Sequence, residues 1–369
     1  MKLNIAVLSG DGIGPEVTAQ SIKVLKAIAL QFNHTFVFKH ADVGATAIDK
    51  TGNPLPDKTL KLCQSADAIL FGAIGDPKFD NDPSAKVRPE QGLLRLRKEL
   101  ELYANIRPVK AYEALLDKSP LKRHIIENTD ISIYRELTGG IYFGEKQTSK
   151  DGNSASDLCE YSRFEIERIT KLAFIAAQNR RKQLTLIDKA NVLESSRLWR
   201  KVVTEMATDF PDVQLDYLFI DNAAMQMILN PNKFDVIVTE NMFGDIISDE
   251  ASVIGGSIGL LASASIGDKY AMFEPVHGSY PQATGKNIAN PIASILSAAM
   301  LLEHFGLFKE AELINKGVEK SLKLEIITPD LNSQTKFIST NKVGNFIEDF
   351  INNPNDTNKN FMNIHLGQS

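Results

Sequence analysis

Short apolar runs alternate with longer stretches of helical periodicity along most of this 369-residue chain. No other feature narrows the fold as much. A strand that is apolar throughout must be covered on both faces, and a strand parallel to its neighbour needs a crossover, usually a helix. Residues 3–8, 35–38, 68–71, 103–108, 131–134, 184–187, 215–220 and 236–238 read as strands. Helical spacing covers 57–63, 91–100, 163–179, 195–210, 222–229, 291–304, 309–322 and 342–351. After the first strand, Val17, Val24, Leu25 and Ile28 mark one helix face. Ile166, Ile169, Leu172, Ala173 and Ala176 mark another. The expectation is a wound α/β fold without internal repeats.

The first strand ends in Ser9-Gly-Asp-Gly-Ile-Gly-Pro-Glu16, where Pro15 and Glu16 suit the opening turn of a helix. Gly10, Gly12 and Gly14 give GxGxG, not the GxGxxG of a standard dinucleotide-binding domain, and the acidic residue expected after a second strand is missing. Two readings stay open: a tight strand-to-helix turn, or a backbone surface that approaches a cofactor. Segment 76–89, with Pro77, Pro83 and Pro89, reads as a loop, and 146–157 as an exposed arm. The small residues of 255–259 and 262–265 suit close backbone approach or a hinge. The tail from Asn352 is polar and expected to fray.

The charge balance, 41 − 46 = −5, comes without a basic block, so nucleic acid is not an expected partner. Cys63 and Cys159 form no CxxC pair and no metal-ligand spacing, which fits a reducing compartment. Residues 1–5 run directly into a strand pattern, with no signal peptide and no apolar run long enough to span a bilayer. The expected location is the cytoplasm.

The chemistry gathers around residues 235–249. Asp245 and Asp249 are four residues apart after an apparent turn at 241–244, so their carboxylates share one helix face. A hard divalent cation with oxygen ligands would offset their repulsion. Taken alone, the pair also fits a helix-starting aspartate and a solvated charge. The strands before them end on Lys189 and Asp221, and in open α/β sheets ligands sit beyond the carboxyl ends of strands. Arg97, Arg107 and Arg135 add guanidinium groups suited to carboxylate capture. Lys189 and Tyr142 are residue types that can take and return a proton.

Several long motifs carry a resemblance to a family. They are Gly10-Asp-Gly-Ile-Gly-Pro-Glu16, Arg135-Glu-Leu-Thr-Gly-Gly-Ile-Tyr-Phe-Gly-Glu145, Asp188-Lys-Ala-Asn-Val192, Asn241-Met-Phe-Gly-Asp-Ile-Ile-Ser-Asp249 and Glu274-Pro-Val-His-Gly-Ser279. From residue 10 to Asp330 the chain closely resembles the β-decarboxylating dehydrogenases that act on isopropylmalate and isocitrate. The resemblance implies a fold of two lobes sharing a large mixed sheet flanked by helices, not a standard Rossmann domain. The first lobe would comprise 1–102 and 256–369, with the termini and most cofactor contacts. The second would comprise 103–255, with the dimer interface, the arm and the metal aspartates.

By the same resemblance, Asp221, Asp245 and Asp249 hold Mg²⁺ or Mn²⁺, which chelates the substrate's hydroxyl and carboxylate. Lys189 removes the hydroxyl proton, a hydride passes to NAD⁺, CO₂ is lost, and Tyr142 supplies the final proton. Arg97, Arg107, Arg135, Asp221 and Val192 contact substrate, and Glu90-Gln-Gly-Leu-Leu94 sets its identity through Glu90, Leu93 and Leu94. Two leucines suit an isopropyl group, whereas an isocitrate enzyme needs polar groups there. The implied reaction is oxidative decarboxylation of (2R,3S)-3-isopropylmalate to 4-methyl-2-oxopentanoate in leucine biosynthesis. Malate-, tartrate- and isocitrate-type relatives are the alternatives. Cofactor contacts carry over to Ile13, Glu274, His277, Gly278, Ser279, Gln282, Ala289, Asn290 and Asp330. Gln282 departs from the aspartate usual in NAD-using relatives, and NAD remains the favoured cofactor. The family shares its active site across a homodimer, with Lys189 and Asp221 from the second subunit.

Two other classes fit the sequence less well. A metal-dependent phosphoryl-transfer enzyme would need a P-loop, which the sequence lacks. A non-catalytic dicarboxylate-binding protein would leave Lys189, Tyr142 and the aspartates without a task.

Overall fold

The apolar runs form the strands expected of them. The computed structural model describes residues 1–81, 85–331 and 338–354. Pro83 and residues 355–369 of the expected tail lie outside that range. From the N-terminus the elements are β1 (Lys2–Gly10), α1 (Gly14–Gln31), β2 (Thr35–His40), α2 (Ala45–Thr51), α3 (Asp57–Ser65), β3 (Ala68–Ala73), α4 (Pro77–Asp80) and α5 (Pro89–Glu99). Then come β4 (Ala104–Lys110), α6 (Arg123–Ile126), β5 (Asp130–Glu136), β6 (Lys146–Thr148), β7 (Ala155–Asp157) and α7 (Arg163–Gln178). They are followed by β8 (Gln183–Asp188), α8 (Glu194–Met206), β9 (Gln214–Phe219), α9 (Ile220–Leu229), β10 (Val236–Thr239) and α10 (Asn241–Ser252). Last are β11 (Ala262–Ile266), β12 (Ala271–Pro275), α11 (Ile292–His304), α12 (Phe308–Lys323) and α13 (Thr340–Asn352). Among the described residues, ten strands belong to one mixed sheet, and β6 pairs with β7 as an exposed antiparallel arm. No described helix is long and apolar enough to cross a membrane.

The chain divides into two compact units. The first is Met1–Leu96, Ser257–Ala264 and Tyr270–Ser369; the second is Arg97–Gly256 and Ser265–Lys269. In the first, β1 lies between β2 and β3 in parallel, and β12 adds parallel to β3. The predicted face of α1 is buried through Val17, Val24, Leu25 and Ile28, against α11 and α13. The glycine loop before α1 is demanded by the protein's own backbone. A Cβ on Gly12, at φ +57°, would sit 2.0 Å from the Ser279 carbonyl oxygen, and the Ile13 amide donates to that oxygen at 2.8 Å.

In the second unit the strand order is β4-β5-β10-β8-β9, with β4 and β5 antiparallel and the remaining pairs parallel. Helix α7 opens with a capping box, in which the Ser162 hydroxyl and the Glu165 carboxylate each accept the other's backbone amide. Such a cap contributes about 1 kcal/mol. Its apolar face packs with α8 and with β8 and β10, and Phe174, Trp199, Val236 and Val238 fill that core.

Three expectations change. Residues 241–244 are not a turn: α10 begins at Asn241, whose amide is satisfied by Tyr161 Oη at 3.0 Å. Gly244 serves packing instead, since a Cβ there would come within 2.6 Å of the Arg135 side chain. Residues 262–265, expected to suit close backbone approach or a hinge, form part of the buried strand β11. The loop after Asp76 contains the short helix α4, capped by the Asp76 carboxylate.

Candidate functional site

Register places two of the three arginines together. Asn105 on β4 pairs with Arg135 on β5, so Arg107, two residues along, shares the face of Arg135. Helix α10 packs against both strands. Arg135 Nη1 donates to Asp245 Oδ1. Arg107 Nη1 donates to Ser248 Oγ at 2.6 Å and to Asp249 Oδ1 at 3.3 Å, while its Nη2 lies 3.6 Å from Asp245 Oδ1. Tyr142 Oη donates to Asp245 Oδ2 at 3.0 Å.

Charge is crowded here. Arg135 is buried, which lowers its pKa to about 10; Arg107 and Arg97 push the same way, and Asp245 opposes them. All three predicted arginines are therefore near one another, and Arg135 stays protonated at neutral pH. The Asp249 side chain is 60% exposed, yet its surroundings raise its carboxyl, chiefly by desolvation, against the pull of Arg107. Burial also raises the Tyr142 phenol, helped by Asp245, so it remains a proton donor.

Asp245 and Asp249 offer hard oxygen donors at helical spacing, a chemistry that fits Mg²⁺ or Mn²⁺. Asp221 does not join them within one chain. Among the described residues no group of three or more metal-ligand side chains converges. Asp221 opens α9 and instead pairs with Lys189, Nζ to Oδ1, at 2.6 Å. That bond holds the Asp221 carboxyl below its ordinary range. Val192 sits exposed in the turn after Lys189. Nearby, α9 and α10 leave Met225, Ile228, Leu229 and Ile246 exposed.

The first unit carries a cavity of about 390 Å³ lined by Ile13, His277, Gly278, Ala289, Asn290 and Asp330. These are six of the nine positions expected at a cofactor. Ser279 lies behind them, bonded to the Ile13 amide, Glu274 is buried in β12, and Gln282 is exposed in the turn that follows. His277 Nδ1 faces the Gly278 carbonyl at 3.0 Å. A carbonyl only accepts, so Nδ1 carries the proton and Nε2 is an acceptor. That Nε2 is buried with no hydrogen-bond partner, and burial keeps the ring neutral. An adenine amino group or a ribose hydroxyl can supply the missing donor, so the cavity fits NAD.

Helix α5 presents Glu90, Leu93, Leu94 and Arg97 at i, i+3, i+4 and i+7, one face of the helix. The opposite side is fixed: Gly92 packs on the Pro54 carbonyl, and Arg95 Nη1 donates to Leu55 O at 3.3 Å. Leu93 and Leu94 stay half-buried while Leu96 enters the core.

Sequence reasoning missed Ser257, Ile258, Gly259, Tyr280 and Ile288 around the cavity. Gly259 had a signal, since small residues allow close approach, and a Cβ there would meet Asn290 and Asp330. Tyr280, at φ +39°, had none. Asn241 and Ser248 were also missed, although both fall on the helix face of Asp245 and Asp249.

The profile of a family described as isocitrate/isopropylmalate dehydrogenase matches residues 4–347. The 3-isopropylmalate dehydrogenase of Bacteroides fragilis (strain YCH46) is 55% identical over 353 residues, covering 95% of this chain and 99% of that one. That of Aquifex aeolicus (strain VF5) is 53% identical over 337 residues, covering 90% and 92%. Among solved structures, isocitrate dehydrogenase from Methylococcus capsulatus superposes with a TM-score of 0.86 at 33% identity, over 95% of this chain and 99% of that one. Likeness over that span leaves no part of the site outside the match, and the chain belongs to the isocitrate/isopropylmalate dehydrogenase family.

Proposed function

We propose that this chain is an NAD-dependent 3-isopropylmalate dehydrogenase. It converts (2R,3S)-3-isopropylmalate to 4-methyl-2-oxopentanoate and CO₂ in leucine biosynthesis, in the cytoplasm. The observation that carries this reading is the face on which Arg107 and Arg135 meet Asp245 and Asp249. With Arg97 its formal charge is 3 − 2 = +1. A dicarboxylate and a divalent cation together leave that balance unchanged. The identity to relatives named 3-isopropylmalate dehydrogenase supports the substrate. So do Leu93 and Leu94, whose apolar surface suits an isopropyl group and not a third carboxylate.

When bound, NAD⁺ accepts a hydride and Mg²⁺ or Mn²⁺ polarises the substrate's hydroxyl and adjacent carboxylate. The arginines orient the carboxylates by paired hydrogen bonds. Asp245 and Asp249 hold the cation, completed by Asp221 of the partner subunit. Lys189 of the partner subunit, its Nζ beside that same Asp221, removes the hydroxyl proton. Tyr142, kept protonated, returns a proton to carbon after decarboxylation. His277 Nε2, Asp330 and Asn290 receive the nucleotide. The exposed apolar side chains of α9 and α10 suit a homodimer.

The test is the rise of reduced-nicotinamide absorbance with isopropylmalate, NAD⁺ and Mn²⁺. It should stop on chelation and be weaker with isocitrate, malate, tartrate or NADP⁺. Equal turnover of isocitrate, or full turnover after exhaustive EDTA dialysis, would overturn the reading.

A further inference from the structure

Asn241, the first residue of α10, is buried and belongs to no expected ligand set. Its Oδ1 accepts from Arg135 Nε at 3.1 Å and from Arg135 Nη2 at 2.8 Å. Its Nδ2 donates to the Gly139 carbonyl at 3.3 Å, just before the turn Gly140–Tyr142. A guanidinium has two edges that can grip a carboxylate, Nε with Nη2 and Nη1 with Nη2. Asn241 occupies the first. Only the second faces the carboxylates of α10, where Nη1 meets Asp245. One turn later, the missing Cβ of Gly244 makes room for the aliphatic stem of Arg135.

We propose that Asn241 is a positioning residue for substrate capture. It holds the side edge of Arg135 with a neutral acceptor, so that the end edge and the whole positive charge are presented to the substrate carboxylate. Neutrality matters. An anion in the same place would form its own bidentate pair with Arg135 and weaken its hold on substrate. The bond to Gly139 ties the segment carrying Tyr142 to the same anchor. The inference rests on the reading of Arg135 as a carboxylate anchor.

Asn241→Asp tests it, because the change keeps the side chain's shape, adds charge beside Arg135 and replaces the donor to the Gly139 carbonyl with an acceptor. The KM for isopropylmalate should rise about tenfold or more, the size expected when a hydrogen bond to a charged group is lost. The KM for NAD⁺ should stay put and kcat should fall less than the substrate KM rises. A merely structural residue would lower the melting temperature or the active fraction and leave the substrate KM alone. Arg135→Gln is measured alongside. If it leaves the substrate KM unchanged, the anchor reading fails. If it raises the KM while Asn241→Asp does not, the anchor stands and the role of Asn241 is overturned. Should the aspartate variant not fold, Asn241→Ser, whose shorter neutral oxygen cannot reach both nitrogens, must raise the substrate KM in the same way.

Discussion

Lys189 Nζ lies 2.6 Å from Asp221 Oδ1, at the carboxyl ends of the neighbouring parallel strands β8 and β9. Asp221 belongs to no group of three or more metal-ligand side chains among the described residues of its own chain. The proposed sharing of the site between two subunits makes a sharp forecast.

Lys189→Met and Tyr142→Phe should each be inactive alone. Co-expressed, they should recover about a quarter of wild-type activity. Half of random dimers are mixed, and in each mixed dimer one of two shared sites is intact. Steady-state assay of the co-purified mixture decides this, and no recovery in a proven mixed dimer would place each site within one chain.

Replacing Leu93 and Leu94 together by alanine should lower kcat/KM for isopropylmalate more than for malate. Losing the methyl groups that cover an isopropyl group is worth about 1–3 kcal/mol. Equal loss on both substrates would remove these half-buried leucines from the pocket.

Glu240 is buried at the start of α10, and burial pushes its carboxyl up to about 7, against a hydrogen bond from Cys159 and with added repulsion from Glu136. A carboxyl raised in the folded state is least costly when both states are protonated, below the unfolded pKa of 4.5. Stability is then lost as pH rises towards 7, and the loss levels off above it. Glu240→Gln should therefore gain on wild type between pH 5 and pH 8 by about 1–3 kcal/mol. Urea melts at the two pH values measure the gain, and a pH-independent difference would refute the assignment.

Asp235 is fully buried below β10, accepting from Arg180 Nε at 2.8 Å and the Arg181 amide at 2.8 Å. Asp235→Ala leaves the Arg181 amide without that acceptor while Arg180 keeps Asp130, and should cost about 1–3 kcal/mol. The shift in denaturant midpoint reports it, and a change below about 1 kcal/mol would mean water replaces the carboxylate.

Much of the fold was legible because β1, β3 and β10 carry nearly continuous apolar runs. Their burial on both faces leaves a mark in composition. Strand β11 left none. Ala262-Ser-Ala-Ser-Ile266 has little intrinsic strand preference and is held by its neighbours. The apparent turn at 241–244 misled for a related reason. Its glycine answers to Arg135, more than 100 residues away, and not to local backbone need. Of the site, residue type exposed the arginines and aspartates, while their meeting depends on β4 running antiparallel to β5, which no local pattern encodes. Asn241 was hidden because asparagine in an apparent turn has an ordinary explanation.

The first unit is assembled from distant pieces, with Met272 of β12 beside Ile69 of β3 and α13 against α1. Nearly all of the second is the single stretch Arg97–Gly256. A nascent chain leaving the ribosome therefore exposes β1, α1 and β3 first but can finish only the later-made unit. Helix α1 and strand β3, made early, are among the last to meet all their neighbours, α13 and β12, and during that wait their apolar faces depend on chaperones or on speed.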